Sequence, residues 1–311
     1  MTEHERNPVL VIAGPTASGK SALAIRLAQE LNGVIINADS MQVYRDLRVL
    51  TARPSEAEEQ TVEHRLYGYL DAGERCSAWR WREDAIREIE DVYKGGRGPI
   101  VVGGTGFYIE ALTRGLSPIP DVPEALIASL HARVEAEGVA FLHTAVQQVD
   151  PALAARVEPA DRQRLMRALA VYEASGRPLS EWQKLPPGPS PFQAKILWLN
   201  PPREALYARC NARLEAMLNQ GALEEVTALL ARGLDPALPA MKALGMAELG
   251  ALARGELASA DALAAAQQAT RRFAKRQLTW FRNRFGNEDR HDAQFSESLS
   301  GKILRKIQKN D

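Results

Sequence analysis

The run Val9–Ser21, VLVIAGPTASGKS, constrains the fold more than any other segment of the chain. It opens as an apolar, β-branched strand and passes without a break into Gly14, Pro15, Thr16, Ala17, Ser18, Gly19, Lys20 and Ser21, the G-x-x-x-x-G-K-S pattern of a phosphate-binding loop. Gly14 and Gly19 let the backbone turn its N–H groups inward around an anion, and Lys20 adds a point charge. The helix expected over SALAIRLAQELNG aims its positive N-terminal end at the same place. Ser21 is placed to hold a magnesium ion through its hydroxyl. The chain is therefore expected to bind a diphosphate or triphosphate.

Through residue 115 strand-like and helix-like segments alternate: PVLVIAG, a helix, GVIINAD, a connection, the helical SAWRWREDAIREIEDVYKGG, then GPIVVGGTG. Short apolar runs bounded by Gly and Pro, alternating with helices, predict an α/β fold with a parallel sheet core flanked by helices. Ligands in such sheets bind at the carboxyl ends of the strands. All three strands end in candidate functional residues: the loop at Gly14, the pair Asp39-Ser40, and Gly103-Gly104-Thr105-Gly106. The proline-rich LSPIPDVPE and LPPGPSP then bracket a stretch that reads as all helix from about 121 to 185, and AKILWLN is expected to return to the first sheet. That pattern predicts a core of residues 1–118 and 190–311 with an inserted helical domain over 119–189. After Pro202 the pattern is helical to about residue 285, and the last 25 residues, with NEDRHDAQ and SESLSGK, are expected to be loosely ordered.

The composition, 45% hydrophobic and 25% charged, is that of a soluble enzyme. No apolar run approaches the roughly 18 residues a membrane span needs, and MTEHERN is too short and polar for a signal peptide, so a cytoplasmic protein without membrane contact is expected. Cys76 and Cys210 lie far apart without C-x-x-C spacing, which indicates neither a disulfide framework nor a zinc site. Lys and Arg total 39, as do Asp and Glu, so overall charge is silent about a polyanionic partner. Its distribution is not. Arg271 to Arg284 carries six basic residues and no acid, interleaved with Phe273, Trp280 and Phe281, and a second cluster holds Arg162, Arg164 and Arg167. By contrast, Glu56 to Glu63 reads as a solvated acidic helix start. Such asymmetry suggests a nucleic-acid surface, although a solvated helix face fits the charges equally.

A kinase or hydrolase of this loop class carries a second strand ending in an acid that holds magnesium. Here PIVVGGTG ends in glycines, and the acid appears as Asp39 on the strand directly after the loop's helix. A carboxylate there can act as general base toward an incoming nucleophile while the metal and Lys20 stabilise a pyrophosphate leaving group; a helix cap or metal-shell role fits the position as well. Gln163 and Arg167 lie four apart on one helical face with Arg164 beside them, a forked donor set for bases or phosphates. Arg209 and Arg213, also four apart, could clamp a pyrophosphate or pair with surface acids.

The sequence resembles the tRNA dimethylallyltransferases, also called tRNA isopentenyltransferases. The matching segments, in family order, are GPTASGKS at 14–21, NADSMQVYR at 37–45, GGTGFY at 103–108, DRQRLMRALAVYEASGRPLSEW at 161–182, RCNARLEAML at 209–218 and TRRFAKRQLTWFR at 270–282. The resemblance implies transfer of a dimethylallyl group from dimethylallyl diphosphate to N6 of adenosine 37, beside the anticodon of tRNAs reading codons that begin with U. It places the diphosphate on the loop with Lys20, Ser21 and its Mg2+, and Arg213; it makes Asp39 the base and Thr105 a positioning group. It assigns tRNA contacts to Asp39, Ser40, Met41, Gln42 and Thr105, and to Gln163, Arg164, Leu165, Met166 and Arg167 on the insert. The partner implied is the tRNA anticodon stem-loop, with the target base unstacked before reaction. A monomer is expected, and the family's ATP-like loop is taken up by the prenyl diphosphate. This chain departs from the family's aromatic-basic pair in having Gly245-Met246-Ala247, so that an aromatic and a basic contact to tRNA are either missing or supplied by Lys242. Two rivals stand beside this reading: a nucleoside or small-molecule kinase, and a non-catalytic RNA-binding module.

Overall fold

The computed structural model describes residues 8–286 and 289–308; the N-terminal MTEHERN lies outside the described residues. The chain divides into two compact units, one running up to Thr113 and resuming at Pro191, the other Arg114–Ser190.

The first unit is built on a sheet. Its leading half holds β1 (Val9–Ala13), α1 (Lys20–Glu30), β2 (Gly33–Asn37), α2 (Glu56–Thr61), β3 (His64–Arg65), α3 (Ala78–Lys94), β4 (Gly98–Gly103) and α4 (Gly106–Arg114). The second unit follows with α5 (Glu124–Glu137), α6 (Val139–Val149), α7 (Pro151–Ala154), α8 (Arg162–Ser175) and α9 (Leu179–Trp182). The first unit then resumes with β5 (Ala194–Leu199), α10 (Arg203–Asn219), α11 (Ala222–Ala231), a 3₁₀ turn at Ala240–Lys242, α12 (Met246–Ala253), α13 (Ser259–Phe285), β6 (Arg290–His291) and α14 (Glu297–Gln308). The strand order is β3-β2-β4-β1-β5-β6, and all the pairings are parallel.

The unbroken apolar character of the strands follows from burial on both faces. Val9, Val11, Ala13, Val34, Ile36 and Val101 point into one core; Leu10, Ile12, Ile35, Ile100 and Val102 point into the other, against Leu23 and Leu27 of α1. Register then does the work that matters for function. Ala13 is opposite Gly103 and Asn37 is opposite Val102, so the chain leaves β1, β2 and β4 at one level, and the three loops that follow begin side by side.

The last 25 residues are not loosely ordered where they are described. Arg290–His291 pairs with Trp198 and Leu199 of β5, and Ile303 of α14 is 2% exposed in the core beside Leu23 and Leu27. The reason is an apolar stripe, Leu299, Ile303, Leu304 and Ile307, at helical spacing behind the polar NEDRHDAQ. Glu56–Thr61 is a short helix capped by Ser55, whose hydroxyl accepts from the Glu58 N–H while the Glu58 carboxylate accepts from the Ser55 N–H.

The unit Arg114–Ser190 has a core of its own, with Leu130, Val134, Leu142, Val146, Leu165 and Leu169 among its buried residues. The Asp150 carboxylate, 1% exposed, accepts from Leu153 N–H at 3.1 Å and Ser180 N–H at 2.8 Å, tying α7 to α9. Its two ends run together, with the Gly188 N–H donating to the Leu116 carbonyl at 3.2 Å. Among the described residues no helix is long and apolar enough to cross a membrane.

Candidate active site

Two cations, Lys20 at the start of α1 and Arg213 of α10, flank the loop between β1 and α1. α1 begins at Lys20 behind Gly19, whose φ of 89° is the left-handed conformation that favours glycine, and its first turn holds no acid to occupy the free N–H groups. Ala17 is also left-handed, with φ 61°, a strained setting for a residue with a Cβ. The Lys20 Nζ reaches the Pro15 carbonyl at 3.4 Å, and Arg213 of α10 donates to the Thr16 hydroxyl at 3.3 Å and the Ala52 carbonyl at 3.5 Å. Neither cation forms an ion pair among the described residues. Burial draws the Lys20 pKa down to about 8, with the Asp39 charge opposing the fall and Arg213 adding to it; burial likewise lowers Arg213, again opposed by Asp39. The Ser18 hydroxyl is fully buried without a hydrogen-bond partner among the described residues. Two desolvated cations and an unpaired hydroxyl around a tight turn form a cradle for a polyanion.

The base side of the site is held by a network of short bonds. Asn37, the one polar residue of β2 and fully buried, donates through Nδ2 to the Asp39 and Leu66 carbonyls, each at 3.0 Å, and accepts from the Asp39 N–H at 2.8 Å. The Asp39 Oδ1 accepts from the Met41 N–H at 3.0 Å, which leaves Oδ2 as the oxygen turned toward Gly104; a Cβ at Gly104 would stand 3.6 Å from it. The Thr105 hydroxyl accepts from the Ser40 N–H at 2.9 Å and donates to the Ser40 hydroxyl at 3.2 Å. Gln42 spends both amide protons on its own loop, at the Thr51 and Ala52 carbonyls, 2.9 and 2.8 Å away. That loop is fixed in turn by Glu225 of α11, whose carboxylate accepts from the N–H groups of Arg48, Val49 and Leu50.

Gln277 of α13 joins the two sides. Its Oε1 accepts from the Thr16 N–H at 2.8 Å and its Nε2 donates to the Gly104 carbonyl at 2.9 Å. Sequence reading passed over Asn37, Glu225 and Gln277. The signal for Gln277 was available: it sits on the stripe Ala274, Leu278, Phe281 and Phe285, a polar residue on the buried face of a helix.

The remaining expected site residues fall in three places. On α8, Gln163, Arg164 and Arg167 are exposed, whereas Leu165 and Met166, at 0% and 9%, fill the core of their own unit; the expected run thus offers a ligand three side chains rather than five. Arg164 pairs with Asp161 at 3.3 Å, while Arg167 forms no ion pair among the described residues and feels the charge of Asp121. Lys242 is exposed at the end of the 3₁₀ turn, Met246 is buried and Ala247 is exposed. On α13 the basic residues Arg272, Lys275, Arg276, Arg282 and Arg284 are exposed; of the aromatics interleaved with them, half-buried Phe273 lies under the Arg276 guanidinium at 5.6 Å, while Trp280 and Phe281 pack against the core. Phe281 is fully buried, and Trp280 meets it edge-on at 5.4 Å. Of the expected aromatic contacts, Phe281 is therefore core and Trp280 is packed partly against it, because both share with Phe285 the helical face that carries Gln277; Phe273 is not in that core. Arg209 is exposed one turn before Arg213.

Among the described residues no group of three or more His, Cys, Asp or Glu is gathered as a metal site. Ser21, in the first turn of α1, is the residue that would hold a magnesium ion together with a ligand's own phosphate oxygens.

The family model described as IPP transferase matches residues 42–284. The tRNA dimethylallyltransferase of Rhodospirillum centenum is 54% identical over 92% of this chain and 91% of its own length. That of Bradyrhizobium sp. (strain BTAi1 / ATCC BAA-1182) is 52% identical over 91% of this chain and 93% of its own. A full-length tRNA isopentenylpyrophosphate transferase from Bacillus halodurans superposes with a TM-score of 0.68 at 30% identity, covering 98% of both chains. A eukaryotic dimethylallyltransferase solved while acting on tRNA superposes with a TM-score of 0.75 at 28% identity, over 93% of this chain and 74% of that one.

Proposed function

The chain belongs to the IPP transferase family, and from that premise we propose that it transfers the dimethylallyl group of dimethylallyl diphosphate to N6 of adenosine 37 in tRNA. The products are N6-(dimethylallyl)adenosine and diphosphate, and the substrates are tRNAs reading codons that begin with U. The observation that carries the reading is the meeting, at the carboxyl ends of the neighbouring strands β2, β4 and β1, of a cationic phosphate loop with a carboxylate whose Oδ2 has no hydrogen-bond partner among the described residues.

The diphosphate lies on residues 14–21, with Lys20 and Arg213 on its oxygens, and Ser21 would hold a magnesium ion there. The ion, when bound, neutralises charge that builds on the leaving oxygen. The N6 lone pair forms the new bond to the first prenyl carbon as the carbon–oxygen bond breaks and its electron pair leaves with the diphosphate. The N6 proton passes to Asp39 Oδ2. Asn37 and the Met41 N–H hold that carboxylate in one orientation, and Thr105 fixes the Ser40 backbone beside it. Charge developing on the diphosphate meets groups already desolvated and in place, the condition under which electrostatic stabilisation is strongest.

The anticodon stem-loop is gripped by Gln163, Arg164 and Arg167 and by Lys242, with the exposed cations of α13 offering further phosphate contacts. The protein acts in the cytoplasm as a monomer. The kinase reading is not favoured: β4 ends in Gly103 and Gly104 where that chemistry needs an acid.

The test is incubation with magnesium, labelled dimethylallyl diphosphate and unmodified tRNA bearing adenosine at 36–38, followed by nucleoside mass analysis. Prenylated adenosine is the expected product. ATP consumption without it would restore the kinase, and RNA binding that never leads to a covalent product would restore the binding module.

A further inference from the structure

The last register pair between β1 and β4 is Ala13 with Gly103; beyond it the strands end and the ladder stops. The next bonds between the two connections are made by a side chain. Gln277 presents a C=O to the Thr16 N–H at 2.8 Å and an N–H to the Gly104 carbonyl at 2.9 Å, reproducing with its carboxamide the donor and acceptor of a peptide group. It is 7% exposed, and the space it fills is tight: a Cβ at Gly104 would stand 2.5 Å from Nε2. An apolar side chain would fill the same volume, so filling space does not account for an amide with both ends used on backbone. Nor does RNA binding, although Gln277 lies in the basic run of α13, because both its polar atoms are engaged inside the core unit.

The two loops it joins carry the two ends of the reaction. Thr16 belongs to the diphosphate loop and accepts from Arg213; Gly104 precedes Thr105 and faces Asp39 Oδ2. We propose that Gln277 is a positioning residue that sets the separation between leaving group and base, acting on the transfer step rather than on the binding of either substrate. The proposal rests on the prenyl-transfer reading. A displacement of about 1 Å between reacting groups costs on the order of 10²-fold in rate, so a brace of this kind has a measurable effect.

The experiment compares wild type with Gln277→Met, which keeps the volume and removes both hydrogen bonds, and with Gln277→Glu, which keeps an acceptor for Thr16 and loses the donor to Gly104. Three quantities are read: the single-turnover prenylation rate, the Kd for dimethylallyl diphosphate with magnesium, and the Kd for tRNA. The expected result for Gln277→Met is a rate lower by roughly 10–100-fold, with both Kd values within about threefold of wild type. If Gln277→Met does not fold, the smaller but clear rate loss expected of Gln277→Glu carries the test. A wild-type rate in the folded variants overturns the proposal. So does a weaker tRNA Kd at an unchanged rate, which would make Gln277 an RNA contact, or a rate loss explained wholly by a weaker diphosphate Kd. Absence of product from wild type itself overturns the prenyl-transfer reading, and this inference with it, and is distinguished by that control.

Discussion

The strand-end site of the core unit and the α8 face of the inserted unit both collect polar side chains, but they prepare them in opposite ways. Around residues 14–21 the functional groups are desolvated, held by named bonds and short of carboxylates; Asn37, Glu225 and Gln277 exist in the structure chiefly to hold backbone in place. On α8 Arg164 and Arg167 are exposed, Arg164 keeps a local partner in Asp161, and half-buried Arg162 pairs with Glu135 at 2.9 Å. A small ligand of fixed shape rewards preorganisation, because each buried donor acts without reorganising when charge develops. A large RNA rewards exposed, adjustable cations whose individual worth is small and whose effect falls with salt.

The largest expected effect is at Asp39. Asp39→Asn keeps an acceptor for the Met41 N–H but is no base, so the single-turnover rate should fall by roughly 10²–10⁴-fold while tRNA binding holds. A near-normal rate would remove Asp39 from the chemistry. Next come the cations of the loop. Arg213→Ala should weaken dimethylallyl diphosphate by about 1.5–3 kcal/mol, roughly 10–150-fold in Kd, as expected for a lost charged hydrogen bond in a partly buried site. Calorimetry that found no change would break the contrast between the two regions. On the insert, Arg167→Ala should weaken tRNA binding by only about 3–10-fold, uniformly across sequences, and reduce the salt slope by about one, with diphosphate affinity retained. The smallest effect belongs to Arg164→Ala, below about threefold, because its charge is already shared with Asp161 at the surface. Reversal of the last two in a filter-binding titration would show that the insert uses its paired arginine and that exposure alone does not rank these contacts.

What could be read from the residues divides along the same line. The loop at 14–21, the strands around it and Asp39 announce themselves because local chemistry dictates them: glycines where a turn needs them, apolar runs where both sheet faces are covered, an acid where a strand ends. Gln277 and Asn37 stayed silent because a single polar residue declares its role only through partners, and the partner of Gln277 lies 261 residues away at Thr16. Phe281 of α13 misled for the same reason: beside six cations it read as an RNA contact, while the helical phase turns it to the core. The tail misled in the other direction, its polar prelude hiding the stripe that seats α14 on α1.

The strand order has a consequence for synthesis. β1 is made first among the strands, yet its neighbours in the sheet are β4 and β5, so its apolar edges wait for partners that the ribosome supplies much later. The brace comes later still: at roughly 5–20 residues per second, the 261 residues between Thr16 and Gln277 take about 13–52 s to make. After them comes Phe295, whose N–H reaches the Ser18 carbonyl at 3.4 Å. A nascent chain therefore carries the complete GPTASGKS sequence for most of its birth without the shape that sequence encodes, and with two unpaired strand edges open to any chaperone or neighbour.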